Sequence, residues 1–265
     1  MPPAADPRPP LDADRLTPLG VTVLPEAGST NALLAERARA GASEWSVLAA
    51  EHQTAGRGRL DRVWETPARV ALTFSTLWRP VAPAAEWPWL PLLVGVALVR
   101  ALRDHEVPAD LKWPNDVLVS GRKVAGILVE RVETPFGPAA VLGIGLNVSQ
   151  TEDELPVPTA TSLLLATGVA PDRTLLLEAL LGRLREQYAA WSAGGGARLR
   201  PAYLAACRTV GQQVRVVLPG GEELLGPATD VDSGGRLLVG GTAVAAGDVV
   251  HVRPVGSGLP DEEPG

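Results

Sequence analysis

Short apolar runs recur along the chain at Val21–Leu24, Ser46–Ala50, Val70–Trp78 and Ala139–Val148, each bounded by Gly, Pro, Ser or Asn. Runs of that length with those boundaries predict strands. Between them apolar residues recur at helical spacing. Gly28-Ser29-Thr30-Asn31 leads into a helix over Ala32–Ala40, with Ser29 or Thr30 as its N-cap and Gly41 at its end. A second helix, about Leu90–Asp104, buries one wide face through Leu92, Leu93, Val96, Ala97, Val99 and Leu102, and Trp87 and Trp89 ahead of it are expected to pack in the core. A long amphipathic helix over Asp172–Ala193 is expected to stop at Gly194-Gly195-Gly196, followed by a short one over Leu199–Arg208. From Val210 the pattern changes to short β-rich runs, Gln213–Leu218, Glu223–Asp230, Arg236–Val239 and Val249–Val252, separated by glycine turns; a small barrel of about five strands is expected there. Residues 1–18 and 256–265 are expected to be disordered tails.

The loop Glu51–Trp64 joins two of the predicted strands and reads Glu-His-Gln-Thr-Ala-Gly-Arg-Gly-Arg-Leu-Asp-Arg-Val-Trp. Gly56 and Gly58 let backbone approach a ligand, and Arg57 and Arg59 carry planar forks that match phosphate or carboxylate oxygens. A dinucleotide fingerprint needs glycine where Asp61 stands, and a P-loop needs Gly-Lys-Ser/Thr, so neither applies. The plain alternative is a solvated Gly/Arg hairpin.

A second stretch, Lys112–Glu130, reads as a turn at Pro114-Asn115-Asp116, a strand over Val117–Val119, a turn at Ser120-Gly121 and a β-rich run over Lys123–Glu130. Lys123 enters that run beside Ala125 and Gly126, small residues that leave room against the backbone. Gly143 and Gly145, just ahead of Asn147, repeat the feature. Ser149–Pro158 is an acidic loop, suited either to lying over a nucleotide or to serving as a simple connection.

Composition narrows the classes. In 265 residues with a net charge of −6, general affinity for nucleic acid or anionic membrane is not expected. No apolar run approaches the ~20 residues of a membrane span, and a lone cysteine, Cys207, fits a reducing cytoplasm. His52, His105 and His251 are scattered, which argues against a structural zinc site. Lysine occurs only at Lys112 and Lys123, and asparagine only at Asn31, Asn115 and Asn147, in a chain rich in arginine. Where lysine drifts so readily to arginine, a retained lysine is a candidate for chemistry a rigid fork cannot do.

Taken together, Ser-Thr-Asn at 29–31, Gln-x-x-Gly-Arg-Gly-Arg-x-x-Arg-x-Trp from Gln53, Lys-Trp-Pro-Asn-Asp from Lys112, Arg-Lys-x-Ala-Gly-Ile-Leu-Val-Glu from Arg122 and Gly-x-Gly-x-Asn from Gly143 resemble a biotin protein ligase. The likeness runs from about Gly28 to Leu163 and includes Ala160-Thr161-Ser162-Leu163; Asp61 departs from it, standing where the family usually has glycine. The resemblance implies an α/β (α+β) fold, a class II aminoacyl-tRNA-synthetase-like mixed sheet flanked by helices, over residues 19–208, and an SH3-like C-terminal barrel over 209–255. It implies a ligase without the N-terminal winged helix of bifunctional members, hence without DNA binding, acting in the cytoplasm as a monomer or weak homodimer.

The implied reaction uses ATP, biotin and Mg²⁺ to make biotinyl-5′-AMP and transfers biotin to a lysine of a biotin carboxyl carrier protein. By the same resemblance Lys123, Arg57, Arg59 and Asp116 are the catalytic candidates. Biotin is assigned to Ser29, Thr30, Asn31, Gln53, Gly56, Arg57, Gly58, Arg59, Lys123, Gly126 and Gly145. The nucleotide is assigned to Arg57, Arg59, Arg62, Trp64, Asn115, Lys123 and Asn147, with no protein metal site. A lipoate–protein ligase and a non-catalytic adenylate sensor or adaptor are the rival readings.

Overall fold

The computed structural model describes residues 8–251. The expected tail at 256–265 and the end of the last β-rich run lie outside the described residues. Backbone contacts divide the chain into two units, one formed by residues up to 80 together with 124–181, the other by 81–123 together with everything from 182.

The strands of the large sheet are β1 (Val21–Leu24), β2 (Val47–Ala50), β3 (Ala71–Trp78), β4 (Ala109–Lys112), β5 (Asp116–Val119), β6 (Arg122–Val132) and β7 (Ala139–Asn147). They run in the order β1-β2-β3-β7-β6-β5-β4, parallel between β1 and β2 and antiparallel at β2–β3, β3–β7, β7–β6 and β5–β4. The mixed sheet matches the expected fold class.

In the first unit all of β3 is buried, as a central strand covered on both faces should be. Its register sets Thr73 opposite Gly145 and Ser75 opposite Gly143, and β7 in turn sets Gly145 opposite Gly126 and Gly143 opposite Leu128. Because side chains alternate across a pleat, one face carries this polar and glycine-rich set while Leu72, Phe74, Leu142, Ile144 and Leu146 form the apolar core on the other. Helix α1 spans Ala13–Leu16 and α2 spans Thr30–Arg39. Ser29 Oγ caps α2 by accepting from the Ala32 amide at 3.4 Å. Leu34 and Ala38, one turn apart on α2, pack with Leu48, Leu77, Val132, Ala139 and Val141. Each leucine so buried contributes about 1.5–3 kcal/mol.

Residues 8–18 correct the expectation of a disordered tail. Leu11 and Leu16 are buried, Asp12 caps α1, and the Leu11 amide donates to Glu51 Oε1 at 2.5 Å. Arg8 forks onto Glu154 at 2.9 and 2.7 Å, and Arg15 onto Glu178 at 2.5 and 2.7 Å. Proline and aspartate dominate the segment's composition, but two well-placed leucines and two arginines are enough to seat it. Residues 1–7 lie outside the described residues.

The second unit is built on α3 (Trp89–Asp104), whose buried residues include Trp89, Leu93, Val96 and Leu102. The short α4 (Leu163–Thr167) belongs to the first unit, and α5 runs over Arg173–Ala206, its residues from 182 belonging to the second, with a break at Gly195, where φ 61 and ψ −160 leave the helical region. The break falls inside the triple glycine, so a helical stretch lies on either side of it, as expected. A five-stranded antiparallel sheet follows, β8 (Gln213–Val217), β9 (Glu223–Val231), β10 (Leu237–Val239), β11 (Thr242–Val244) and β12 (Asp248–His251), ordered β11-β10-β9-β8-β12. The apolar pattern does not mark β11, because Thr242 and Ala243 are exposed. Trp89 Nε1 donates to the Ser233 carbonyl at 2.7 Å and Trp113 Nε1 to that of Gly235 at 3.1 Å, tying both expected core and motif tryptophans to this sheet. Residue 209, where a separate domain was expected to open, lies within this unit, and Thr209 Oγ1 accepts from the Trp113 amide at 3.0 Å.

Candidate active site

The Glu51–Trp64 loop folds as a hydrogen-bonded ribbon. Gly58 N donates to the Arg62 carbonyl at 2.7 Å and Trp64 N to that of Gly56 at 2.9 Å, with a turn at Arg59–Asp61 in which Leu60 takes φ 53. Its base pairs with the segment before α2, Ala55 N to Gly28 O at 2.8 Å and Thr54 N to Ala27 O at 3.0 Å. Gly56 has no room for a side chain, since a Cβ there would lie 2.2 Å from the Trp64 carbonyl oxygen, whereas one at Gly58 would meet nothing closer than 3.6 Å. Arg57, Gly58, Arg59, Leu60, Leu128 and Glu130 line a cleft of about 260 Å³. Arg57 Nη2 stands 3.9 Å from Glu130 Oε1.

Beside this cleft lies a buried chain of polar groups. Gln53 Oε1 accepts from the Thr30 amide at 2.7 Å and is 3.0 Å from Thr30 Oγ1. Ser75 Oγ is 2.7 Å from Thr30 Oγ1 and 2.6 Å from Asn31 Oδ1, and Asn31 Nδ2 donates to Glu130 Oε2 at 2.8 Å. Thr30, Asn31 and Ser75 are 3 %, 4 % and 0 % exposed. Polar groups buried this deeply persist only when paired. Glycine forms the floor. A Cβ at Gly143 would sit 2.3 Å from Asn31 Oδ1, and one at Gly145 2.4 Å from Trp64 Cε2, so the amide and the indole rest directly on β7. Gly126 faces Gly145 in register on β6.

Asn147, at the end of β7, is buried; its Nδ2 donates to the Thr161 carbonyl at 3.0 Å and its Oδ1 accepts from Gln150 Nε2 at 2.8 Å. It therefore holds the ends of the acidic loop. Within that loop the Arg8 guanidinium keeps the Glu154 carboxyl at about 2, well below the usual carboxylate range.

In the second unit, Lys123 Nζ lies 2.8 Å from Asp116 Oδ1. The turn between their strands has Ser120 at φ 52 and Gly121 at φ 79, the two positive values that a tight hairpin of this kind needs. Asn115 precedes Asp116 at the head of β5 and is half-buried. The site residues expected from sequence thus form two groups. Ser29, Thr30, Asn31, Gln53, Gly56, Arg57, Gly58, Arg59, Arg62, Trp64, Gly126, Gly145 and Asn147 belong to the first unit, and Asn115, Asp116 and Lys123 to the second. Sequence reasoning passed over Ser75 and Glu130. A serine amid the apolar run of β3 was the available signal, since a central strand admits such a residue only where it finds a partner.

Residues 26–147 match the Biotin/lipoate A/B protein ligase family. The biotin--[acetyl-CoA-carboxylase] ligase of Mycobacterium tuberculosis is 44% identical, the alignment covering 93% of this chain and 97% of the relative, and that of Paracoccus denitrificans is 37% identical over 76% of this chain and 85% of the relative. The biotin protein ligase of Aquifex aeolicus, solved in complex with biotin and ATP, superposes with a TM-score of 0.76 at 28% identity, covering 89% of this chain and 99% of its own. With a Gly/Arg ribbon beside a buried chain of polar groups and a 44% identical relative aligned along nearly the whole chain, the protein belongs to the biotin protein ligase family.

Proposed function

We propose that this chain uses ATP to convert biotin to biotinyl-5′-AMP and then transfers the biotin to one lysine of a biotin carboxyl carrier protein. The observation that carries the reading is the buried chain from Gln53 through Thr30, Ser75 and Asn31 to Glu130, laid on a glycine floor and ending beside the arginine ribbon. A slot with hydrogen-bonding groups along one side and cations at its end suits an uncharged bicycle with a urea edge and a carboxylate tail. The ligated Aquifex aeolicus relative supports it.

In the first step a biotin carboxylate oxygen attacks the α-phosphorus and pyrophosphate leaves with the bonding pair. Two anions must meet, and Arg57, Arg59 and Lys123 are assigned to neutralise carboxylate and phosphate as charge builds on the transferring group. Arg62 and Trp64 are assigned to the nucleotide side, the indole as an apolar wall, with Asn115 alongside. Asn147 takes part by fixing the acidic loop. Mg²⁺ enters as part of the nucleotide substrate, held chiefly by phosphate oxygens.

In the second step a neutral lysine amine of the carrier attacks the acyl carbon, AMP departs with its oxygen, and the nitrogen loses a proton. Asp116 is assigned to orient the amine and receive that proton. Its pairing with Lys123 gives it a second duty, holding the ammonium in place. Residues 19–208 are assigned to catalysis and 209–255 to an SH3-like companion, supported by the five-stranded sheet. Residence in the cytoplasm, a monomer or weak homodimer, and no DNA binding complete the proposal. Among the described residues no helix is long and apolar enough to cross a membrane.

The test is labelling of a purified carrier domain by this protein with Mg-ATP and biotin. Biotin-dependent labelling of one lysine is expected. Labelling with lipoate but not biotin, or pyrophosphate exchange absent with either acid, overturns the assignment.

A further inference from the structure

We infer that Ser75 and Glu130 are positioning residues that set the donor and acceptor directions of the biotin slot, an inference that rests on the function proposed above. The argument starts at the carboxylate. Glu130 only accepts hydrogen bonds, so the Asn31 atom 2.8 Å from its Oε2 must be the amide nitrogen. The Asn31 oxygen is thereby turned toward Ser75, whose hydroxyl lies 2.6 Å away and donates its single proton there. Ser75 Oγ then faces Thr30 Oγ1, 2.7 Å away, only as an acceptor.

The Thr30 hydroxyl proton has two takers, Ser75 Oγ at 2.7 Å and Gln53 Oε1 at 3.0 Å, and both lie inside the protein. Whichever receives it, the Thr30 oxygen has no proton left for a ligand and reads an N–H. Gln53 is oriented in the same way, because its oxygen already accepts from the Thr30 amide at 2.7 Å, which leaves its NH₂ group as the outward donor. A cyclic urea offers two N–H groups and one carbonyl, the complement of an accepting hydroxyl beside a donating amide. Remove the charge at residue 130 and Asn31 is free to rotate by half a turn; Ser75 then donates to Thr30 Oγ1 and occupies the oxygen that would read the ligand N–H, while without the hydroxyl at 75 Thr30 loses its nearer partner. Gly143 makes room for the amide, since the Asn31 oxygen sits where a Cβ would be.

Ser75→Ala, Glu130→Gln and the double variant test this by titration calorimetry, with biotin alone and with ATP alone. Biotin affinity is expected to fall about tenfold in Ser75→Ala and about fivefold in Glu130→Gln. The double variant is expected to fall about tenfold rather than about fiftyfold, because both act on one chain. Affinity for ATP should stay within about twofold in Ser75→Ala, whereas Glu130→Gln also alters the surroundings of Arg57, 3.9 Å away, and its ATP titration reads that pairing. A merely structural serine would lower thermal stability and weaken both ligands together. Additive losses, or either variant binding biotin like the parent, overturn the inference and leave the proposed function standing; failure of the parent chain to bind biotin removes both. If Ser75→Ala does not unfold cooperatively, Glu130→Gln, at a half-buried position that needs no repacking, carries the test alone, and unchanged affinity there is sufficient to overturn it.

Discussion

The indole of Trp64 rests on Gly145, so closely that a Cβ on the glycine would lie 2.4 Å from Cε2 and 2.5 Å from Cζ2. This contact fixes the far end of the arginine ribbon to the central sheet. Gly145→Ala should push the indole off β7 and loosen the ribbon. The expected loss in adenylate formation is about a hundredfold, with thermal stability lowered by the 1–3 kcal/mol typical of overpacking. Pyrophosphate exchange and a melting curve measure the two, and an unchanged rate would detach Trp64 from the site.

The two glycines of the ribbon differ sharply in the space around them. Gly56→Ala meets the Trp64 carbonyl at 2.2 Å and should abolish activity, whereas Gly58→Ala meets only ordinary contacts at 3.6 Å and should keep activity within about threefold. Assaying the pair side by side is the check. Equal losses would show that Gly58 serves a ligand's approach and not the ribbon's fold.

Lys123 is paired with Asp116 at 2.8 Å, and both side chains are half-buried. Lys123→Ala should lose adenylate formation while circular dichroism stays unchanged, and Lys123→Arg should fail too, because a planar fork does not replace a compact ammonium. Asp116→Asn should slow transfer from preformed biotinyl-5′-AMP more than it slows pyrophosphate exchange. Equal slowing of both steps would leave Asp116 only the task of holding Lys123.

The Arg8–Glu154 pair makes a pH prediction. With the Glu154 carboxyl lowered to about 2 by the Arg8 guanidinium, its contribution to stability is complete above the ordinary carboxylate value and is lost as pH falls toward 2. For a pair this close to solvent the contribution is about 1 kcal/mol. Arg8→Ala should therefore destabilise the protein at pH 7 and have little effect near pH 2. The difference between their unfolding curves at the two pH values measures it.

The cap, the ribbon and the turn of the candidate site were legible because each is set locally. Ser29 as a cap, the Gly/Arg ribbon and the tight turn at Ser120-Gly121 are each specified within about a dozen residues, where capping, turn and glycine requirements operate. The docked segment at residues 8–18 was not legible, since Leu11, Arg8 and Arg15 find their partners at Glu51, Glu154 and Glu178, far along the chain. β11 escaped for the opposite reason: its pairing is close in sequence but its side chains carry no pattern.

By itself the sequence determined which residue types were present to do the chemistry, where the chain turns, and which apolar runs become strands. Only the tertiary structure decided that Ser75 meets Asn31 and that Glu130 meets both Asn31 and Arg57. Those pairings depend on the register of β3 against β7 and of β7 against β6, and a slip of one residue would turn Ser75 or Glu130 to the opposite face, away from Asn31.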